Sequence, residues 1–220
     1  IWPQGDQWGM HDYTREGAQG CTTFNSIIAM GYGEPQNAKE FAELAQWVNY
    51  DGHRSMFESR SQNRKGLLMW MSHPCWPSMV WQTYDYYFEP TAAYFAIKKA
   101  SEPLHIQWNP VTDEVEVVNY SGGNRKGLTA KAQVLNMDAS VAWEKEVATD
   151  SNEDTTNKCI QLEFPDNLSK VHFIKMVLTE NGKVISENFY HRSLEENNYQ
   201  DLRNLPKVAL KSDVTTNKGT

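Results

Sequence analysis

The sequence predicts an α+β chain, with a mostly helical, aromatic-rich segment over residues 1–103 and an immunoglobulin-like β-sandwich over residues 104–192. Three observations carry this reading. Eighteen of the 26 aromatic residues, including six of the eight tryptophans, fall within residues 1–103. Apolar positions there recur at helical spacing, whereas from Pro103 onward they fall in short alternating runs. Seven such runs over about 90 residues, parted by turn residues and free of helical stretches, suit two packed antiparallel sheets. Residues 193–220 become polar and irregular and are expected to form a linker toward a further domain.

Within the first segment, residues 20–30 predict a short helix stopped by Gly31 and Gly33. A longer helix begins after Pro35-Gln36-Asn37, with Asn37 as its N-cap. Its apolar positions Phe41, Leu44, Ala45 and Val48 lie on one face, which Met56 and Phe57 extend past Gly52. Gly66-Leu67-Leu68-Met69-Trp70-Met71 is a continuous apolar run of the kind that forms a strand buried on both faces. The two prolines of Ser72-His73-Pro74-Cys75-Trp76-Pro77 forbid a strand or helix, so a loop is expected at that strand's C-terminal end. Residues 91–100 then read as a helix with lysines near its C-terminal end. Strand, aromatic loop and helix together make one βα unit.

The seven strands are expected within Leu104–Trp108, Glu114–Val118, Leu128–Leu135, Val141–Val147, Cys159–Phe164, Val171–Leu178 and Val184–Tyr190. Glu180-Asn181-Gly182-Lys183 is the strongest hairpin signal. Trp108 and Trp143 are expected in the sandwich core. Tyr84, Tyr86 and Tyr87 are expected to pack between the two parts.

A hydrophobic share of 40% over 220 residues supports a packed core. The net charge of −7 is spread evenly, −3 over residues 1–103 and −4 over the rest. No basic stripe exists, which argues against nucleic acid and anionic membranes as partners. No apolar run approaches the roughly 18–20 residues that span a bilayer. The start, Ile-Trp-Pro-Gln-Gly-Asp, reads as neither a signal peptide nor a usual beginning, so a longer parent is expected. Cys21, Cys75 and Cys159 are odd in number and lack metal-ligand spacing, so buried free thiols are expected, with no metal site and no cofactor. The compartment is not encoded in them.

From Met69 to Pro110 the sequence resembles a known family. An aromatic strand ending in Trp70, the Trp76-Pro77 pair, Gln82, Tyr84-Asp85 and the Ala93-Tyr94-Phe95-Ala96-Ile97-Lys98-Lys99 helix lead directly into Glu102-Pro103-Leu104-His105-Ile106-Gln107. This resembles the end of the catalytic barrel of glycoside hydrolase family 2, in its exo-β-glucosaminidase and endo-β-mannosidase branch. Upstream, Gly5-Asp6-Gln7-Trp8-Gly9-Met10-His11-Asp12-Tyr13-Thr14 resembles the loop after the nucleophile strand. Asn198-Tyr199-Gln200-Asp201-Leu202 resembles the exit toward a further β-domain.

The resemblance implies a partial (β/α)8 barrel over residues 1–103, joined to the family's third sandwich. Retaining enzymes of this kind place two glutamates about 5 Å apart at the barrel mouth. The resemblance puts both on strands earlier than residue 66, so they are expected before Ile1 and no catalytic residue is expected here. The expected function is part of an exo-acting β-glycosidase for β-linked glucosamine, mannose or galactose, inactive alone, from a secreted or periplasmic parent. A carbohydrate partner follows. A non-catalytic carbohydrate-binding or structural sandwich is the alternative, and an incomplete barrel surface also allows a homodimer.

The candidate substrate-binding residues are Trp70, Trp76, Trp81, His73 and His11. Trp70 stands where barrel sites are built, and an indole face stacks on the C–H face of a sugar ring. The resemblance also implies a non-proline cis peptide between Trp70 and Met71. Ordinary packing is the competing role for each tryptophan. Glu40, Glu43, Glu58, Asp12 and Asp85 lack the strand-end setting of an acid/base pair and are expected to be solvated or capping.

Overall fold

A computed structural model describes residues 2–11, 20–59, 66–78, 82–209 and 211–213. Among the described residues, four α-helices precede seven strands: α1 (Asp6–His11), α2 (Gly20–Tyr32), α3 (Ala38–Glu58), α4 (Ala92–Ala100), β1 (Leu104–Asn109), β2 (Glu114–Asn119), β3 (Arg125–Asn136), β4 (Val141–Ser151), β5 (Thr155–Gln161), β6 (Val171–Glu180) and β7 (Lys183–Ser193). All strand pairings are antiparallel.

Helix α3 starts where a cap is available. The Asn37 side chain accepts from the Glu40 amide at 3.0 Å, and Glu40 reaches back to the Gln36 amide at 2.7 Å. Helix α2 runs through Gly31 and stops before Gly33, whose φ of +84° suits glycine. Side chains of α1, α2 and α3 form a small apolar cluster, Trp8, Ile28 and Phe41, flanked by Trp2, Phe24, Leu44, Ala45 and Val48.

The expected strand at 66–71 does not form. Leu68 is fully exposed, and Trp70 is 77% exposed. A doubly buried strand needs hydrogen-bonding neighbours on both edges, and among the described residues none pairs with this run. Tyr86 and Tyr87 are likewise exposed, outside any packed layer.

Each of the seven later runs forms a strand. One sheet has the order β1-β2-β5, the other β4-β3-β6-β7. Alternation sends Leu104, Ile106, Val115, Val117 and Ile160 from the first sheet, and Leu128, Ala130, Ala132, Ile174, Met176 and Leu178 from the second, into one core. Trp108 and Trp143 pack against its edge. The β6–β7 hairpin turns through Asn181 and Gly182, with φ of 51° and 77°, as a two-residue loop between twisted strands requires. Cys159 donates to the Val115 carbonyl, and burial pushes its thiol up to about 11. Cys75 is exposed, against the expectation of burial, because it stands in the open loop between Pro74 and Pro77. The side chain of Cys21 and all of Asp12 lie outside the described residues.

The helices seat on the sheets through polar contacts. His105 and Gln107 alternate with the core residues of β1 and face α3. His105 is wholly buried, with Nε2 2.9 Å from Glu58 and Nδ1 3.1 Å from Glu102. Glu58, at the last turn of α3, also accepts from the Asn188 amide at 2.9 Å and the Tyr190 hydroxyl at 2.8 Å. The expectation of a solvated Glu58 is corrected here: it is 7% exposed, because three strand residues converge on its carboxylate. Arg54, one turn back, donates to the Phe189 carbonyl at 2.6 Å and lies 4.1 Å over the Tyr190 ring. The segment after β7 returns to α2: the Tyr199 amide donates to Gly31, and Arg203 donates to the Tyr32 carbonyl.

Candidate functional site

The described candidate residues stand on α1 and on the loop that follows residue 66. That loop hangs from α4 through backbone-directed bonds. Thr83 donates its hydroxyl to the Ser72 carbonyl at 2.9 Å, and Tyr84 donates its amide to the same oxygen at 3.0 Å. Thr91, just before α4, donates to the Gln82 carbonyl at 2.7 Å. Asp85 folds the next turn by accepting from the amides of Tyr87 and Glu89 at 2.8 and 2.9 Å, so its role is capping.

On this frame two of the predicted residues meet. His11, at the end of α1, stacks on Trp76 with ring centres 5.2 Å apart, and its Nδ1 lies 2.6 Å from the Pro77 carbonyl. Trp76 keeps 44% of its surface open. Trp70 is open as well, and the peptide joining it to Met71 is cis. His73 stacks instead on Phe88, 4.3 Å away and nearly parallel. Phe88, itself 71% exposed, is the neighbour that sequence reasoning missed. Its φ of 66° gives no pattern signal, because the turn geometry is set by Asp85. Trp81 lies outside the described residues.

The surface therefore offers flat aromatic faces and imidazoles, suited to stacking and hydrogen bonding to a polyol. Carboxylates come close together elsewhere, around His105. Burial pushes the Glu102 carboxyl up, but hydrogen bonds from His105, Lys99 and Ser186 outweigh it and hold it down at about 2. The oxygens of Glu58 are occupied by His105, Asn188 and Tyr190, so the pair ties helices to strands. Among the described residues no group of three or more His, Cys, Asp or Glu side chains could hold a metal ion, and no helix is long and apolar enough to cross a membrane.

The chain is homologous to glycoside hydrolases of family 2, the exo-β-D-glucosaminidases and β-mannosidases, and corresponds to a segment of them. The exo-β-D-glucosaminidase of Amycolatopsis orientalis is 33% identical over 177 residues, covering 76% of this chain and 17% of that protein. The mannosylglycoprotein endo-β-mannosidase of Lilium longiflorum is 27% identical over 192 residues, covering 83% of this chain and 20% of its own length. Among solved structures, the exo-chitosanase CsxA of A. orientalis in complex with PNP-β-D-glucosamine superposes with a TM-score of 0.83. It is 26% identical, over 89% of this chain and 26% of that one. The β-D-mannosidase of Dictyoglomus thermophilum shares the fold, with a TM-score of 0.74 at 19% identity over 87% of this chain and 24% of its own. The chain thus spans about a fifth of the length of these two curated relatives. No family model matches it.

Proposed function

We propose that this chain supplies the sugar-site floor and an accessory immunoglobulin-like sandwich to a retaining exo-β-glycosidase acting on β-linked glucosamine, mannose or galactose. In this reading residues 1–103 are the end of a (β/α)8 barrel, residues 104–192 the sandwich, and residues 193–220 a linker. The catalytic glutamates belong to strands outside this chain. Trp70, Trp76, His11, His73 and Trp81 border the sugar.

The observation that carries the reading is the cluster of solvent-facing aromatics on the loop after residue 66, in a chain whose relatives are glycosidases. Trp70→Ala in the intact parent separates the roles. A subsite role predicts a large fall in kcat/KM with little change in Tm, whereas a packing role predicts a lower Tm with normal activity per folded molecule. The isolated chain is expected to leave chromogenic β-glucosaminide, β-mannoside and β-galactoside uncleaved, because retention needs both carboxylates. Turnover that co-purifies with the chain overturns the assignment.

A further inference from the structure

Each ring nitrogen of His105 faces a carboxylate oxygen, Nε2 toward Glu58 at 2.9 Å and Nδ1 toward Glu102 at 3.1 Å. A neutral imidazole carries one N–H, so one of these contacts would set lone pair against lone pair. With both carboxylates ionised, only the imidazolium, with two N–H donors, satisfies both. His105 is 0% exposed and Glu58 7%, while Glu102 keeps part of its side chain open to solvent.

We propose that His105 is a proton-controlled latch, whose imidazolium bridges Glu58 of α3 and Glu102 beyond α4 and whose deprotonation loosens the helices on the sheets.

The groups facing the ring support a cation. Glu58 comes from α3, with Arg54 paired to Asp51 behind it. Glu102 follows α4 and also pairs with Lys99 at 2.6 Å. From β7, Ser186 donates to Glu102 at 2.7 Å, while Asn188 and Tyr190 donate to Glu58. From β2, Glu116 is reached through Gln107, whose amide also donates to the Glu58 carbonyl. Burial disfavours the charged ring, but the hydrogen bonds and charges of Glu102 and Glu58 outweigh it and hold the pKa above the usual histidine value.

The sign follows from linkage. His105 contributes stability that is full below its unfolded value of 6.5 and is lost as pH rises through the higher folded value. Glu102 contributes stability present above 4.5 and lost as pH falls toward about 2. His191 of β7 is held low by burial, so its contribution is present above 6.5 and lost on acidification. The latch is thus read between about pH 6.5 and 8, where the other two groups are silent and the Cys159 thiol, raised by burial from 9.0, does not yet titrate. The aromatic loop hangs from α4 through Thr91 and Thr83, so the latch also sets where that loop stands relative to the sheets.

Nitrogen-15 NMR of the histidine rings, on the full 220-residue chain, tests this directly. One ring should keep the imidazolium signature at about pH 7.5, where free histidine is neutral. In Glu102→Gln that ring should titrate about 1–3 pH units lower, as expected when an opposite charge is removed. In His105→Gln the signal should vanish, together with the decline in Tm expected of the wild type between about pH 6.5 and 8. If all rings are neutral at that pH, or if the wild-type Tm is flat over that range, the latch is overturned. An imidazolium that does not move in Glu102→Gln overturns it too. Glu102 is partly exposed, so this variant is expected to fold even if His105→Gln does not.

Discussion

Burying the Glu58 carboxylate forfeits several kcal/mol of hydration, which only well-placed donors and an opposite charge return. His105, Asn188 and Tyr190 supply them, and Arg54 sits one turn away, its guanidinium over the Tyr190 ring. Removing one partner strands the other, so Glu58→Ala should cost about 3–5 kcal/mol of stability. Glu43→Ala on the same helix should stay within about 0.5 kcal/mol, because its pairing with Lys39 is open to solvent. Urea melts of both variants measure the contrast. Equal, small effects would mean that the Glu58 cluster is solvated. None of this is legible in the sequence. Glu58-Ser59-Arg60 reads as an exposed helix end, and its partners lie 47 to 132 positions away. Local pattern carries no record of such pairings. Asn37 is legible because its bond to Glu40 is local.

Elements are legible where their cause lies within the element. Alternation announces all seven strands, periodicity and the Asn37 cap announce α3, and the lysines near its C-terminal end mark α4. The run at 66–71 fails for the opposite reason. Its apolar composition states a demand for neighbours on both edges, and composition does not say whether they are present. The aromatic loop divides in the same way: Pro74 and Pro77 force a loop, while the His73–Phe88 and His11–Trp76 stacks depend on where α1 and the Asp85 turn fall. The β6–β7 hairpin offers a test confined to one element. Gly182 sits at φ 77° with open space where a Cβ would stand, so a side chain there meets backbone strain rather than a clash. Gly182→Val should cost about 1–2 kcal/mol with an unchanged urea m-value. A neutral result would mean that the turn adopts another geometry in solution.

At the scale of the whole molecule, the question is which part can stand alone. The two sheets share one core of thirteen buried residues, all between Leu104 and Tyr190. Among the described residues of the helical part, the apolar cluster has only Trp8, Ile28 and Phe41 buried, and its hold on the sheets runs through the polar seat around Glu58 and the contacts of Tyr32 and Trp47 with His191. Apolar burial scales with core size at about 25 cal/mol per Å², whereas polar seats return little beyond their desolvation cost. Residues 104–192 expressed alone should therefore melt cooperatively, and residues 1–103 should not. The separated sheets should also lose the alkaline fall in stability. Without Glu58 and Glu102 the His105 ring meets water and titrates near its ordinary value in both folded and unfolded states, so linkage leaves no slope. Circular dichroism melts of the two pieces between about pH 6.5 and 8, below the titration of the Cys159 thiol, decide both points. A cooperative transition from residues 1–103 would place the stabilising core in the helices, and a persisting alkaline slope in residues 104–192 would locate the titrating group within the sheets.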